Sequence, residues 1–322
     1  MLLQYSTSPH IRLNNTTKKI MINVCIALLP ATVMGIIFFG YLAFLTVALS
    51  VLSAVASEFI YQKIMGLNFK DTFNAFDYSS VVTGLIVSLI LPVNAHLYIP
   101  VLASVFAVVV CKMLFGGTGN NFVNPAVTGR IFVFISFSSI LNTYVAPSIS
   151  AINPVVISGA TSLQSFLLDG SSLSLFDLLL GTGVAGCIGE TCKVAILVGA
   201  IYLAVKKIIK IWLPLLSLVF AGITAVILNG FEISAFLPAI LSGGLFFGAF
   251  FMATDYVTNP ITVSGQAIFF ILFGILTSIF RQFTGFETAS FALLIMNILV
   301  PLIDKLPTRK AFGYQKNKGV NK

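Results

Sequence analysis

Charged residues are scarce in this 322-residue chain, making up 9% of it, whereas a soluble globular domain carries about 25%. Hydrophobic residues account for 58%, and the mean hydropathy is +1.03. So little charge cannot coat a water-facing surface, which excludes an ordinary soluble domain. Continuous apolar runs recur along the whole length, whereas a membrane β-barrel would show short alternating segments. The sequence therefore predicts an all-α, polytopic membrane protein.

The residue patterns of common catalytic sites are also missing. The two histidines, His10 and His96, form no Ser/His/Asp grouping and no HExxH motif, which argues against a hydrolase or a metalloprotease. The four cysteines show neither a CxxC pair nor a ferredoxin-like spacing, so we interpret them as small packing residues. They are Cys25, Cys111, Cys187 and Cys192. Any redox chemistry would therefore need a bound cofactor.

The net charge of +8 does not indicate nucleic-acid binding, because the cations cluster in loops and at the C-terminus. That distribution is typical of the positive-inside bias of membrane proteins. We expect the lipid bilayer, and no nucleic acid, as a partner.

Ten apolar segments are candidates for membrane spans, since about 20 apolar residues cross the hydrocarbon core. An eleventh segment, 175–189, is short and rich in glycine, and we interpret it as a half-helix or re-entrant piece. The ten candidates are 20–40, 43–62, 79–93, 97–115, 126–142, 193–210, 212–229, 236–254, 266–280 and 288–303.

The cations predict the orientation of these spans. Residues 1–19 form a leader that ends in two lysines and is predicted to be cytoplasmic, as is the basic tail 304–322. Lys112 falls near the cytoplasmic edge, and Arg281 is the exception on the outer side. With ten crossings, residues 142–175 form an outward-facing loop. We expect one integral membrane domain over 1–322, with both termini in the cytoplasm.

Five spans that start inside, followed by five that start outside, predict an inverted-topology 5+5 repeat. The sequence echoes are faint: Asn124-Pro125 is followed later by Asn259-Pro260, and Asp77-Tyr78 by Asp255-Tyr256. The spacing of these echoes does not match cleanly between the two halves.

A polar run, 115–126, interrupts the apolar pattern between two spans. Unwound backbone at membrane depth is tolerated only where protein or a wet cavity satisfies it, and glycine lets the backbone approach a ligand closely. The run therefore predicts a ligand site or an ion path, and the alternative is an interhelical loop with asparagine caps. Its candidate binding residues are Gly117, Gly119, Asn120 and Asn124, with Asn121 a further amide in the run.

Acidic residues in or near the apolar core are candidates for an ion path, because a carboxylate near the bilayer is costly and usually functional. They are Asp77, Glu190 and Asp255, with Glu58 late in the second span. For Asp255 a capping role is an equal alternative, since it ends a long apolar run.

The run Ser158-Gly159-Ala160-Thr161 stands in a polar stretch, 142–174, between apolar segments. A threonine beside glycine and alanine presents a hydroxyl with little steric cover. Thr161 is therefore a candidate attachment point for a cofactor.

Seven short segments spread over nearly the whole chain form one ordered pattern. They are 116–120, Asn124-Pro125-Ala126, Ser158-Gly159-Ala160-Thr161, Gly189-Glu190-Thr191, 250–255, 291–297 and 301–304. In this order they resemble the D subunits of Rnf complexes and their homologues, the B subunits of the Na⁺-translocating NADH:quinone reductase. The sequence departs mildly from that family at two positions, Val123, where we expect phenylalanine, and Tyr256, where we expect proline.

The resemblance implies a component of a cell-membrane complex that moves electrons between ferredoxin and NAD and exports Na⁺ or H⁺. It implies that FMN is attached to Thr161 through a phosphodiester bond by a flavin transferase, with Ser158, Gly159 and Ala160 beside it. It also leaves room for a second, non-covalent flavin such as riboflavin.

The implied partners are the A, B, C, E and G subunits of the Rnf complex, and the implied fold is a urea-channel-like bundle. No complete activity is expected from this chain alone. The alternative is a urea-channel-like solute channel or carrier without a redox role.

Overall fold

A computed structural model describes residues 16–66, 76–147, 174–182, 185–284 and 287–306. The regular structure in these ranges is helical. The helices are α1 (Thr17–Phe39), α2 (Tyr41–Ile64), α3 (Ser79–Leu89), α4 (Tyr98–Val105), α5 (Pro125–Ser136), α6 (Ser138–Leu141), α7 (Leu175–Leu180), α8 (Lys193–Val205), α9 (Trp212–Leu228), α10 (Phe236–Leu241), α11 (Leu245–Phe247), α12 (Val263–Thr284) and α13 (Ala289–Ile303).

Two of these helices continue as π-helical turns. One π-helical turn, Phe106–Val110, extends α4, and a second, Gly248–Met252, extends α11. A 3₁₀ turn at Met113–Phe115 and another at Ile233–Ala235 complete the helical elements. Single π-turns inside helices are rare and frequently lie at functional sites.

The described chain has four helical stretches long and apolar enough to cross a membrane: α1, α2, Tyr98–Phe115 and α12. A bent pair, Ile233–Leu241 with Leu245–Met252, adds a fifth if it counts as one span. These spans confirm an all-helical membrane protein. Each of the ten predicted segments contains helix, but five of them form helices of only 10–17 residues, so the count of ten crossings stays a prediction.

The predicted span 236–254 is not one straight helix. It breaks between α10 and α11 at Ser242–Gly244, and the two parts are bent by 68°. Gly243 has φ +58 there, a left-handed conformation that glycine adopts without steric cost. The break leaves backbone groups inside the bundle that other side chains must satisfy.

Segment 175–189 begins with α7, which has six residues. At about 1.5 Å per residue such a helix covers only a fraction of the ~30 Å hydrocarbon core. The chain then pairs with the end of α3, where the Gly189 amide donates to the Leu89 carbonyl at 2.7 Å and the Ile188 amide to the Leu91 carbonyl at 3.2 Å. These contacts agree with a piece that enters the bundle without crossing it.

Small residues let the helices approach closely. Gly84 of α3 lies against the backbone of Ser50 and Val51 in α2, and Gly274 of α12 lies against the backbone of Ser217 in α9. Hydroxyls then bond to backbone carbonyls across such contacts, as Ser50 Oγ does to the Gly84 carbonyl at 2.7 Å. Small and hydroxyl-bearing residues at helix contacts are typical of membrane bundles.

Candidate functional site

A pocket opens where α1, α3 and the start of α5 meet residues 251–257. Its walls are largely apolar, from α1, α3 and the end of α8, with a small number of polar groups. That mixture is typical of small-molecule sites. The polar and charged residues that line it are Ser79, Thr83, Lys112, Thr118, Asn121, Asn124, Thr254, Asp255 and Tyr256.

Asn124 fixes the start of α5 on one side of this pocket. Its Oδ1 accepts hydrogen bonds from the backbone N–H groups of Ala126 (3.0 Å) and Val127 (3.4 Å), so it caps the helix, with Pro125 at the first position. Its Nδ2 donates to the Met252 carbonyl at 3.1 Å. Asn124 is thus both a helix cap and a pocket residue that joins the two halves of the chain.

The other candidates of the polar run have different positions. Asn120 is exposed, donates to the Gly116 carbonyl at 3.2 Å, and is not among the pocket-lining residues, whereas Asn121 is buried and lines the pocket. Gly117 and Gly119 have φ +90 and +96 with open space where a Cβ would be. They shape the loop without contacting the pocket that Asn124 lines.

Asp255 accepts from the Val257 amide at 3.4 Å and from Thr258 Oγ1 at 3.3 Å. Its carboxylate therefore organises the loop after the π-turn while it lines the pocket. Asp255 thus stabilises a turn within the loop and does not cap the next helix, which begins at Val263; it also lines the candidate site.

Asp77 lies in the loop before α3 and accepts from Ser79 N (3.0 Å) and Ser79 Oγ (2.5 Å). Burial alone raises the pKa of its carboxyl, but hydrogen bonds from Ser79 and Thr118, together with the charge of Lys112, outweigh burial and lower the pKa. Asp77 is therefore ionised at neutral pH and bonded to the first turn of α3.

Beside the pocket lies the Glu58–Lys112 cluster, made of these two residues with Ser79 and Ser80. Lys112 is 2% exposed, and its Nζ donates to Glu58 Oε1 (3.2 Å), Ser79 Oγ (2.5 Å) and Ser80 Oγ (3.2 Å). Ser80 also donates to the other oxygen of Glu58. All three ammonium protons and both carboxylate oxygens therefore have partners.

Because Lys112 is buried in an ion pair, it is not a loop cation. The same holds for Arg281, which is 3% exposed and pairs with Glu287 at 2.8 Å. Neither residue is a solvent-exposed loop cation, so the predicted orientation of the spans is better argued from the other cations.

A second buried group, the Glu190–Glu287 cluster, is made of three cations and two carboxylates from both halves of the chain. All five side chains are at most 7% exposed. Arg130 Nη1 donates to Ser290 Oγ at 2.7 Å. The members are Arg130, Glu190, Lys193, Arg281 and Glu287.

The Arg281–Glu287 ion pair of this cluster provides hydrogen-bond partners for backbone groups at the break between α10 and α11. Arg281 donates to the carbonyls of Ala239 (2.9 Å) and Ser242 (3.1 Å), at the end of α10. Glu287 lies against Gly243, and its carboxylate accepts a backbone hydrogen bond from Gly244, at the start of α11. One ion pair thus caps both sides of the break.

Lys193 and Glu190 complete the cluster at the same break. Lys193 Nζ donates to the backbone carbonyls of Glu190 and of Gly243, the latter at 3.3 Å. The carboxyl of Glu190 lies against Gly244. Glu190 is therefore separate from Asp77 and Asp255, which belong to the pocket side, and the three carboxylates do not form one group.

Thr161 and its neighbours Ser158, Gly159 and Ala160 lie outside the described residues, so their role stays a prediction. The four cysteines are free thiols, and all but Cys25 are buried. Within the described ranges there is no group of three or more His, Cys, Asp or Glu residues that could hold a metal ion.

Sequence reasoning missed most of the buried cations. Arg130 and Lys193 were not singled out, and Lys112 and Arg281 were used only to orient the spans. The signal that could have found them is a cation inside an apolar segment, which marks a paired or functional group by default.

A model of the "NQR2, RnfD, RnfE family" matches residues 4–313. The chain is 39% identical to the D subunit of the Na⁺-translocating ferredoxin:NAD⁺ oxidoreductase complex of Acetobacterium woodii, over 98% of this chain and 97% of the relative. It is 35% identical to the D subunit of the proton-translocating ferredoxin:NAD⁺ oxidoreductase complex of Clostridium ljungdahlii, over 97% and 96%. The D subunit of the ion-translocating oxidoreductase complex of Stutzerimonas stutzeri is 33% identical, over 94% and 93%.

Proposed function

Since the chain belongs to the NQR2, RnfD, RnfE family, we propose that it is the membrane-embedded D subunit of an ion-translocating ferredoxin:NAD⁺ oxidoreductase complex. The observation that carries this proposal is similarity over nearly the whole length to the D subunits of two such complexes. The described helices supply the membrane-embedded body that such a component needs. Its partners are the A, B, C, E and G subunits of the Rnf complex.

We propose that Thr161 carries FMN through a phosphodiester bond, installed by a flavin transferase. The support is the intact Ser158–Thr161 motif within a chain of this family. The bound flavin would supply one- and two-electron transfer. A phosphoester tether leaves the isoalloxazine ring free to react.

We propose the pocket beside α3 and α5 as the site of a second flavin, such as riboflavin. Asn121 and Asn124 offer amide donors and acceptors for the polar edge of an isoalloxazine ring, and the apolar walls suit its faces. Phe251 adds an aromatic side chain. An uncharged flavin is the better match, because the ammonium of Lys112 is already engaged by Glu58 and two serines.

The coupled ion is Na⁺ in the name of one relative and the proton in the name of the other. We propose Asp77, Glu190 and Asp255 as candidate ion-path carboxylates, divided between the pocket side and the Glu190–Glu287 cluster.

We further propose ten crossings arranged as an inverted 5+5 bundle of urea-channel-like type, in the cell membrane. The five helices of 10–17 residues would then cross with non-helical extensions, as the two short helices of a broken span do. With both termini cytoplasmic, the loop 142–175 faces outward, where a transferase outside the cytoplasm would reach Thr161.

The test is in-gel flavin fluorescence of the denatured chain, co-expressed with a flavin transferase, beside the Thr161→Ala variant. We expect a fluorescent band that survives SDS and is absent from the variant. Ser158→Ala is a matched control, because it removes a hydroxyl from the same motif and leaves the attachment oxygen in place.

A wild-type band without flavin fluorescence would contradict the redox role, provided that the co-expressed transferase is shown to act on another substrate. It would favour the alternative, a solute channel or carrier of urea-channel-like architecture. The alternative predicts no flavin on Thr161 and no loss of function in Thr161→Ala.

A further inference from the structure

We propose that Glu190 is a proton-binding group, whose carboxyl exchanges a proton with water that enters the break between α10 and α11. No member of the Glu190–Glu287 cluster is among the residues that line the proposed flavin pocket. The inference does not depend on a redox role of the chain.

The first observation is that Glu190 lacks an ion-pair partner. In the described part of the chain two ion pairs occur, Lys112–Glu58 and Arg281–Glu287. Glu190 is 3% exposed, and its Oε1 has no hydrogen-bond partner among the described residues. Burying an ionised carboxylate without a partner is so costly that such a group takes up a proton instead.

The second observation is a set of other unpartnered polar atoms, two of them at the same break and one on the residue that follows Glu190. Within the described ranges, Ser242 Oγ and Arg281 Nε at the break and Thr191 Oγ1 next to Glu190 in the chain also have no hydrogen-bond partner. Ser242 is fully buried, and Thr191 is 4% exposed. Buried polar groups of this kind are typically satisfied by internal water, which makes two to four hydrogen bonds.

Water beside Glu190 supplies the proton and removes it. On uptake, an O–H bond forms at the carboxylate while one O–H bond of a hydronium ion breaks and leaves water. On release, the same proton passes back to water. No electron moves, and no co-reactant beyond water is needed.

Charged and titratable groups on several elements act electrostatically on the Glu190 carboxyl. They are Arg130 of α5, Lys193 of α8, Glu287 in the turn before α13, and Cys187 of its own segment. Tyr144 also belongs to this electrostatic environment. The cations keep the proton exchangeable, because they oppose a permanently protonated carboxyl.

A metal cation fits this site less well than a proton. Hard cations take six or more oxygen ligands, whereas the described residues at the break and beside Glu190 offer three unpartnered side-chain oxygens, on Glu190, Thr191 and Ser242. The ammonium of Lys193 already occupies the carbonyls of Glu190 and Gly243. A proton needs only one of the free oxygens.

The test is infrared difference spectroscopy of the full-length chain in nanodiscs during a stepwise change of pH. We expect a carbonyl band of a protonated carboxyl that titrates reversibly and shifts in D₂O, because water reaches the group. Glu190→Gln should abolish this band, and Glu190→Asp should shift its frequency. Glu287→Gln is the matched control, because it removes a paired carboxylate of the same cluster and should leave the band.

The thermal midpoint of Glu190→Gln should equal or exceed that of the wild type, since a neutral amide resembles the protonated carboxyl. A band that persists in both Glu190 variants would overturn the proposal. So would a wild type without a titrating band combined with a destabilised Glu190→Gln, because Glu190 would then be a permanently ionised structural group. A chain without flavin should show the same titrating carbonyl band, so failure of the proposed redox function would leave the proposal for Glu190 intact.

Discussion

The Glu58–Lys112 cluster and the Glu190–Glu287 cluster are both buried among apolar helices, but they differ in how completely their atoms are paired. In the first, one ammonium and one carboxylate share serine hydroxyls until every proton and oxygen has a partner. In the second, the Arg281–Glu287 pair is bonded to the backbone at a helix break, while Glu190 keeps a free oxygen.

The difference separates two uses of buried charge. A fully satisfied network holds helices in one arrangement and has no capacity left for a ligand. A partly satisfied network costs stability, and that cost is tolerated where the free atoms have a function. The first cluster therefore anchors α2 to α3 and to the segment that follows the π-helical turn after α4, while the second keeps one carboxyl available for exchange.

The largest effect is expected for Arg281→Ala. It leaves Glu287 buried without a counter-charge and leaves the carbonyls of Ala239 and Ser242 without donors. Breaking a buried pair from one side costs about 3–5 kcal/mol, and the lost backbone bonds add to it. The thermal midpoint in nanodiscs measures this loss, and Arg281→Lys should recover part of it. An unchanged midpoint would show that the pair does not cap the break.

The next effect concerns the Glu58–Lys112 pair, and a double-mutant cycle measures it. Lys112→Met alone leaves a buried carboxylate and should cost about 3 kcal/mol or more, whereas Glu58→Leu combined with Lys112→Met should cost less than either single change. Thermal midpoints of the four proteins complete the cycle. Additive losses would mean that the two side chains do not interact.

A smaller effect is expected where Gly244 contacts Glu190. Gly244→Ala would place a Cβ against the Glu190 carboxyl, and overpacking of this kind costs typically about 1–3 kcal/mol. Gly186→Ala is the control, because the nearest atom to its Cβ would be at 3.6 Å, on the flexible side chain of Thr191. Equal thermal midpoints for the two variants would contradict the close contact of Gly244.

The smallest effect is expected at Asn124, which connects the two halves. Asn124→Ala removes the cap of α5 and should cost about 1 kcal/mol. Asn124→Asp keeps the capping oxygen but loses the bond to the Met252 carbonyl, so its loss relative to the wild type measures that bond, and the difference between the two variants measures the cap. Asn120→Ala, at an exposed loop position, should change the free energy of unfolding by less than about 0.5 kcal/mol. If Asn120→Ala lowered the thermal midpoint as much as Asn124→Ala does, the exposed position of Asn120 and the buried capping position of Asn124 would be contradicted.

The apolar pattern located the helices well, because composition decides which segments enter a membrane. The span predicted at 20–40 is Thr17–Phe39, and the span predicted at 266–280 lies inside Val263–Thr284. The pattern could not locate the 68° bend at Ser242–Gly244, since Arg281 and Glu287, which stabilise it, lie about 40 residues further along the chain.

The candidate site could be predicted only by residue type. Asn124 and Asp255 were identified because polar groups interrupt an apolar run, and both line the pocket. Sequence could not separate Asn120 from Asn121, because the loop conformation decides which of two adjacent amides faces inward. The pairing of Glu58 with Lys112 is a tertiary contact across 54 residues and has no local signature.

The π-helical turn at Gly248–Met252 has a consequence for how this chain tolerates length changes. A π-turn accommodates one residue more than regular α-helical winding. A further residue inserted here under regular α-helical winding would rotate everything that follows by about 100°. Asp255 would leave the pocket and the Met252 carbonyl would turn away from Asn124. Related chains should therefore tolerate substitutions in this turn far more readily than insertions.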